Sequence, residues 1–203
     1  MARVTSLVER ARHGDEQAFD RLYCAVQPGL LRYLRVLVGA DAEDVASETW
    51  LCIARDLHTF TADDVAFRAW AATIARHRAV DHLRRADSRP AVPVPTETLT
   101  DLPASSDAEE QALDALATDA AIRLIATLPQ DQAEAVMLRA VLGLDAKSAG
   151  KVVGKRPGAV RTAAYRGLRR LAETLEASRR EPAPPSGKSR VTFLASATVK
   201  EAR

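Results

Sequence analysis

The sequence predicts an all-α protein in which two small helical modules are joined by a flexible, proline-rich acidic linker. Three observations carry this. Aromatic residues are only 4% of the 203 residues, while alanine and leucine abound and β-branched runs are scarce, a balance that favours helix over strand. No glycine occurs between Gly39 and Gly143, which leaves no place for the many turns of a sandwich or barrel. Residues 89–111 hold four prolines and no apolar periodicity, so they read as a tether. The expected division is a helical domain over 1–90, the linker over 91–118, a second helical domain over 119–177 and a basic flexible tail over 178–203.

In the first module, Leu7 to Tyr23 is an amphipathic stretch broken at His13-Gly14-Asp15, and Leu30 to Val38 is a second helix. Asp41 precedes a third. There Val45, Thr49, Cys52 and Leu57 share one face, while Asp44, Glu48 and Arg55 form an exposed stripe. The fourth helix, Phe67 to Arg85, is apolar through Phe67, Ala71, Ile74, Ala75 and Leu83, and the arginines at its end also suit the helix dipole.

The second module begins with a helix from Asp119 to Leu128, stopped by Pro129, and another from Gln130 to Leu142, ended by Gly143. Ala146 to Val153 is a short helix and Gly154-Lys155-Arg156 a tight turn. Pro157 then opens a longer helix to about Ala177, as a first-turn proline does. A short helix, a glycine turn and a longer helix with a polar N-terminal face make a helix-turn-helix. Val160, Ala164, Leu168, Leu171 and Leu175 are expected inside, with Arg161, Thr162, Tyr165, Arg166 and Arg169 outside.

Charge gives this geometry a partner. The net charge of +2 hides a basic run from Lys147 to Arg170, with eight bases and no acid. Such a run on a free helix face is the footprint of a nucleic-acid surface, where Arg161 and Thr162 reach base edges while Arg156 and backbone amides meet phosphate. Residues 91–118 carry six acids and no base, and residues 15–64 hold ten acids against four arginines. Residues 68–89 reverse that balance, with six arginines against two acids. The tail adds a short apolar patch, Val191 to Val199, with no role assigned.

Catalytic chemistry is not expected. Between Gly150 and Arg156 the glycines stand too close for a phosphate loop, and Arg156 replaces the hydroxyl that would hold magnesium. His13, His58, His77 and His82 show no metal-ligand spacing, and no nucleophile elbow exists. Neither a cofactor nor a metal is implied. Cys24 and Cys52 are too few for a disulfide framework and are expected to be reduced and buried. No stretch is long and apolar enough to cross a bilayer, so the expected location is the cytoplasm, with no membrane partner.

Three segments together carry a family pattern. They are Asp41-Ala-Glu-Asp-Val-Ala-Ser-Glu-Thr-Trp50, Phe67-Arg-Ala-Trp through Arg85, and Leu128-Pro-Gln-Asp-Gln-Ala-Glu-Ala-Val-Met-Leu-Arg139 with the helix-turn-helix after it. With the opening Leu7 to Phe19, the chain resembles the extracytoplasmic-function (ECF, group IV) sigma factors of RNA polymerase, in the sigma-70 family, over most of residues 5–177. The first two segments are similar to region 2 and the third to region 4.

The resemblance implies roles. Asp44, Ser47 and Glu48 would dock on the clamp helices of core RNA polymerase, with the flap as a second contact. Thr61, Asp63, Arg68, Trp70, Arg76, His77, Arg78 and Arg84 would capture an unpaired base of the minus-ten promoter element and support strand opening. Trp70 carries a second reading, plain core packing. Arg156, Arg161, Thr162, Tyr165, Arg166 and Arg169 would read the minus-thirty-five element as duplex DNA. The resemblance allows an anti-sigma factor as a further partner. An extended 28-residue linker reaches roughly 90 Å, against roughly 70 Å for two duplex turns, so both modules reach one promoter. Ser47, Ala149, Gly150, Lys155 and Ala164 depart from the family pattern, which predicts a marginally packed region 4. The alternative is a stand-alone helix-turn-helix regulator.

Overall fold

The computed structural model describes residues 6–87 and 117–180, and every regular element among them is helical. In the first module α1 spans Leu7–Arg12, α2 Glu16–Val38, α3 Ala42–Asp56 and α4 Asp64–Asp87. In the second, α5 covers 117–126, and α6 (Gln130–Val136) runs into a wide π-type turn, Met137–Val141. Next come α7 (Ala146–Val153) and α8 (Pro157–Arg180). The linker up to residue 116 and the apolar patch Val191 to Val199 lie outside the described residues.

Local chemistry sets the first module's ends. Ser6 caps α1 by accepting from the Glu9 N–H, and Asp15 caps α2 by accepting from Ala18. That backbone bond, with the Arg10 guanidinium beside it, holds the Asp15 carboxyl below its usual range. The carboxylate of Asp64 accepts from the Leu7 and Val8 N–H groups at 3.4 and 3.0 Å, so the start of α4 pins the start of α1. Between these anchors Val8, Leu22, Val26, Leu30, Leu34, Val45, Ile53 and Phe67 form the core.

Several expectations are corrected here. The two segments expected as separate helices, ending at Tyr23 and starting at Leu30, are one helix, α2, which runs through Pro28. Leu22, Val26, Leu30 and Leu34 keep an unbroken i, i+4 stripe in the core, and that burial outweighs the N–H that proline lacks. Neither cysteine is buried: Cys24 is exposed and Cys52 half-buried, because Cys24 falls between the core positions Leu22 and Val26. Leu83 is exposed, since α4 outruns the core beyond Ala79.

In the second module α6 crosses α8 closely at Gly167, where a Cβ would stand 2.8 Å from the Val136 side chain. The apolar seam of α8 is therefore Val160, Ala163 and Ala164, with Leu171 packed at its end. Leu168 and Leu175, expected inside, are 51% and 52% exposed. They lie one helical step around from that seam, beyond the reach of α6. Asp145 caps α7 by accepting from the Ser148 N–H at 2.7 Å, which lowers its pKa. Gly154 turns the chain with φ +68°.

Gly150 is not the weak point the sequence suggests. Its carbonyl accepts from the Lys155 N–H at 2.9 Å, and a Cβ there would lie 2.6 Å from the Lys155 carbonyl oxygen. Only glycine lets the turn close on α7. Ala149 and Ala164 are buried in the apolar cluster that joins α7 and α8. Lys155 points outward, with its ammonium 3.9 Å from Asp131.

The modules touch. Tyr33 of α2 and Ala72 of α4 are buried in one cluster with Leu138, Leu142, Leu144 and the apolar residues of α7 and α8. Arg35 reaches Asp119 at 3.2 Å, and Arg76 reaches Glu134 at 2.9 Å.

Candidate nucleic-acid interface

The turn before α8 and the first half of that helix place Arg156, Arg161, Thr162, Tyr165, Arg166 and Arg169 in solvent. Val160, Ala163 and Gly167 fill the opposite side, so packing fixes which face is free. Thr162 donates its hydroxyl to the Gly158 carbonyl at 3.1 Å, and Arg169 pairs with Glu173 at 2.9 Å, one turn further on. Lys147 and Lys151 of α7 are exposed as well. This is a cationic face with a helix N-terminus at its edge, suited to phosphate.

The second candidate face lies on the loop before α4 and on α4 itself. Phe60 packs on Phe67 at 5.9 Å and on Trp70 at 4.8 Å between ring centroids. Its carbonyl accepts from Arg12 at 3.3 Å. Asp63 accepts from the Ala66 N–H at 2.8 Å and so caps α4, while Thr61 is exposed. The loop is thus held from both sides. Trp70 is half-buried on this aromatic cluster, which leaves part of its ring to solvent.

The helix then divides the expected minus-ten residues. At about 100° per residue, Trp70, His77 and Arg84 recur every seven positions and share one face. Arg68 is exposed and Arg78 pairs with Asp81 at 3.2 Å. Arg76 lies about 120° from Trp70, on the line of Ala69 and Ala72 that faces the second module. Its hydrogen bond to Glu134 raises its already high pKa. Tyr33 is nearby, and burial with the Glu134 charge pushes its phenol far above the usual value.

On α3, Asp44 and Ser47 are exposed and Glu48 is half-buried, 3.5 Å from Arg85. Arg55 is taken up by Asp56 through two hydrogen bonds, which lower the Asp56 pKa. His82 of α4 meets Asp41 at 2.8 Å and ties the start of this stripe to α4.

Residues 22–89 match the family model Sigma-70 region 2, and residues 118–171 match Sigma-70, region 4. The ECF RNA polymerase sigma factor ShbA of Streptomyces griseus is 37% identical over 179 residues, covering 83% of this chain and 93% of that one. The chain belongs to the ECF sigma factors. The ECF RNA polymerase sigma factor BldN of Streptomyces coelicolor is 38% identical over 177 residues, covering 86% of this chain. The chain spans 66% of BldN, just under two thirds of its length. In fold, this sigma factor resembles RpoE of Bartonella quintana, solved in complex with the anti-sigma factor NepR. The TM-score is 0.56 at 22% identity, covering 78% of this chain and 96% of that one.

Two features of this sigma factor were missed by the sequence reading. Leu51 is 72% exposed on α3, between Glu48 and Arg55. Its signal was an apolar residue inside a polar stripe at i+3 from Glu48. Glu134 is buried against Arg76, a pairing across 58 positions that no local pattern announces. Among the described residues, no group of three or more His, Cys, Asp or Glu is placed to hold a metal, and no helix is long and apolar enough to cross a membrane.

Proposed function

We propose that this sigma factor docks on core RNA polymerase through the α3 stripe and recognises promoters with two separate helical faces. Asp44, Ser47, Glu48 and the exposed Leu51 offer an acidic surface with one apolar anchor, a composition that suits a basic helical partner such as the polymerase clamp helices. Thr61, Asp63, Arg68, Trp70, Arg76, His77, Arg78 and Arg84 serve the minus-ten element. Here the braced loop and the partly open Trp70 ring give a flipped base a place to stack. Arg156, Arg161, Thr162, Tyr165, Arg166 and Arg169 serve the minus-thirty-five element.

The domain division at 1–90 and 119–177 follows from this, with the acidic linker between the two DNA-facing parts. The role needs no active centre of its own, and its place is the cytoplasm, where the polymerase works. An anti-sigma factor is a natural partner, as for the Bartonella quintana relative.

One observation carries the reading most: the α8 face is free, basic and preceded by a glycine turn, on a chain that also presents an acidic stripe on α3, a feature a stand-alone regulator does not need. Run-off transcription on a promoter library with its cognate core polymerase tests it. Transcripts that require this chain and share upstream sequence support the reading. Transcription indifferent to the chain overturns it.

A further inference from the structure

We propose that α1 tunes minus-ten specificity without touching DNA: its two ends hold the two flanks of the loop tip Thr61-Ala62-Asp63, with Arg12 and Asp64 as the positioning residues. This rests on the reading of that loop as the one that captures the flipped base.

Phe60 and Asp64 flank the tip, and each is tied to α1. On one side the Arg12 guanidinium donates to the Phe60 carbonyl at 3.3 Å, across 48 positions of sequence. On the other the Asp64 carboxylate accepts from the Leu7 and Val8 N–H groups at 3.4 and 3.0 Å. Val8 and Arg12 are four residues apart, about 6 Å along a helix. One turn of α1 therefore bridges the two flanks.

Around the tip the backbone is fixed, while the tip itself is open. Phe60 leaves the Leu57–Thr59 turn extended, its N–H donates to the Leu57 carbonyl at 3.0 Å, and its ring lies on Phe67 and Trp70. The Asp63 carboxylate accepts from Ala66, and its carbonyl accepts from Phe67 at 3.0 Å. Thr61, Ala62 and Asp63 are exposed. A helix of six residues has little stability of its own. Burial of Val8 and Ala11 in the first core and the Arg10 to Asp15 pair at 2.6 Å anchor it, so it can act as a strut.

A site for a splayed base selects through a few hydrogen-bonding groups set against a stacking ring. A tip that shifts accommodates several bases, whereas a tip held at both flanks keeps its groups where one base fits and needs no ordering on binding. Trp70 supplies the ring and shares the brace, because Phe60 packs on it at 4.8 Å. Arg12 and Asp64 carry opposite charges, which separates this role from a direct electrostatic one. Loss of a charge near DNA acts with opposite sign at the two positions, and loss of the brace acts with the same sign.

The test is run-off transcription by the reconstituted holoenzyme on a promoter library randomised over the minus-ten element. Arg12→Ala and Asp64→Ala should each cut the ratio between the best and worst base at the flipped position by about fivefold or more. Core affinity and minus-thirty-five preference should stay within about twofold of wild type. Arg12→Lys and Asp64→Asn, which keep a donor and an acceptor, should restore most of the ratio. In the free chain, hydrogen exchange at residues 60–66 should quicken in both alanine variants, and circular dichroism checks their helix content. Arg12→Ala decides alone if Asp64→Ala loses helix. An unchanged base ratio in Arg12→Ala overturns the proposal. So does an equal loss on every promoter with a shallower salt dependence, which marks a phosphate contact. A wild-type chain indifferent to the minus-ten bases overturns the promoter reading and the specificity role with it, and quicker exchange in Arg12→Ala then shows a brace of the fold alone.

Discussion

Replacing Gly150 by alanine sets two physical rules against each other. Glycine inside a helix costs about 0.5–1 kcal/mol relative to alanine, so on propensity alone Gly150→Ala stabilises α7. The surroundings predict the reverse, because the new methyl would sit 2.6 Å from the Lys155 carbonyl oxygen, inside any tolerable contact. Backbone must move, and forced overpacking costs about 1–3 kcal/mol. The turn that must give is the one closed by the Lys155 N–H on the Gly150 carbonyl. The net expectation is a loss of roughly 1–2 kcal/mol, or several degrees in Tm for a chain of this size. Gly158→Ala is the control, since a Cβ there meets nothing within 4 Å. It should leave Tm unchanged or raise it. Thermal unfolding followed by circular dichroism, with hydrogen exchange at α7, measures both. If Gly150→Ala unfolds at or above the wild-type temperature, the close approach of turn and helix is not what requires glycine.

Arg161→Ala should weaken transcription from promoters with a minus-thirty-five element by about 1–3 kcal/mol in recognition, some fivefold to a hundredfold, and relax preference at one base position. Titrating promoter variants in run-off assays reads this, and an equal loss on every promoter counts against base contact. Leu51→Asp should lower affinity for core polymerase by about tenfold, while stability stays within about 0.5 kcal/mol because the side chain is solvent-facing. Competition binding against the wild-type chain decides it. Asp145 holds a proton less readily when folded than the ordinary 3.8, so its cap adds stability above that pH and loses it as pH falls through the lowered folded value. The stability gap between wild type and Asp145→Ala should therefore be widest near neutral pH and close in acid. A gap that does not narrow refutes the charged cap.

Much of the fold was legible because its signals are local. The Gly154 turn, the Pro157 start and the spacing of Val160 and Ala164 are read within one or two helical turns, and the structure places them as expected. What could not be read depends on neighbours distant in sequence. Leu168 and Leu175 look like core positions by periodicity, but they fall to one side of the line of Val160, Gly167 and Leu171 that meets α6 and its flank. Pro28 looks like a break, yet the stripe from Leu22 to Leu34 carries the helix across it. Arg76 belongs with its neighbours by charge. The helix turns it toward Glu134, while Trp70 and His77 point elsewhere. The faces of the candidate interface were visible in residue type and spacing, and the partners that occupy them in the folded chain were not.

The positions of the two tryptophans have an optical consequence. Trp50, shielded on α3 by Phe19, Tyr23 and Gln27, and Trp70, beside Phe60 on α4, are both in the first half of the chain, and the second half has none. Intrinsic emission from the unlabelled protein is therefore a one-sided signal. It reports on the half that holds α1 to α4 and stays silent about the half that holds α6 to α8. A collisional quencher would reach the indole of Trp70 far more readily than that of Trp50, which separates the two colours of that signal without any chemical modification.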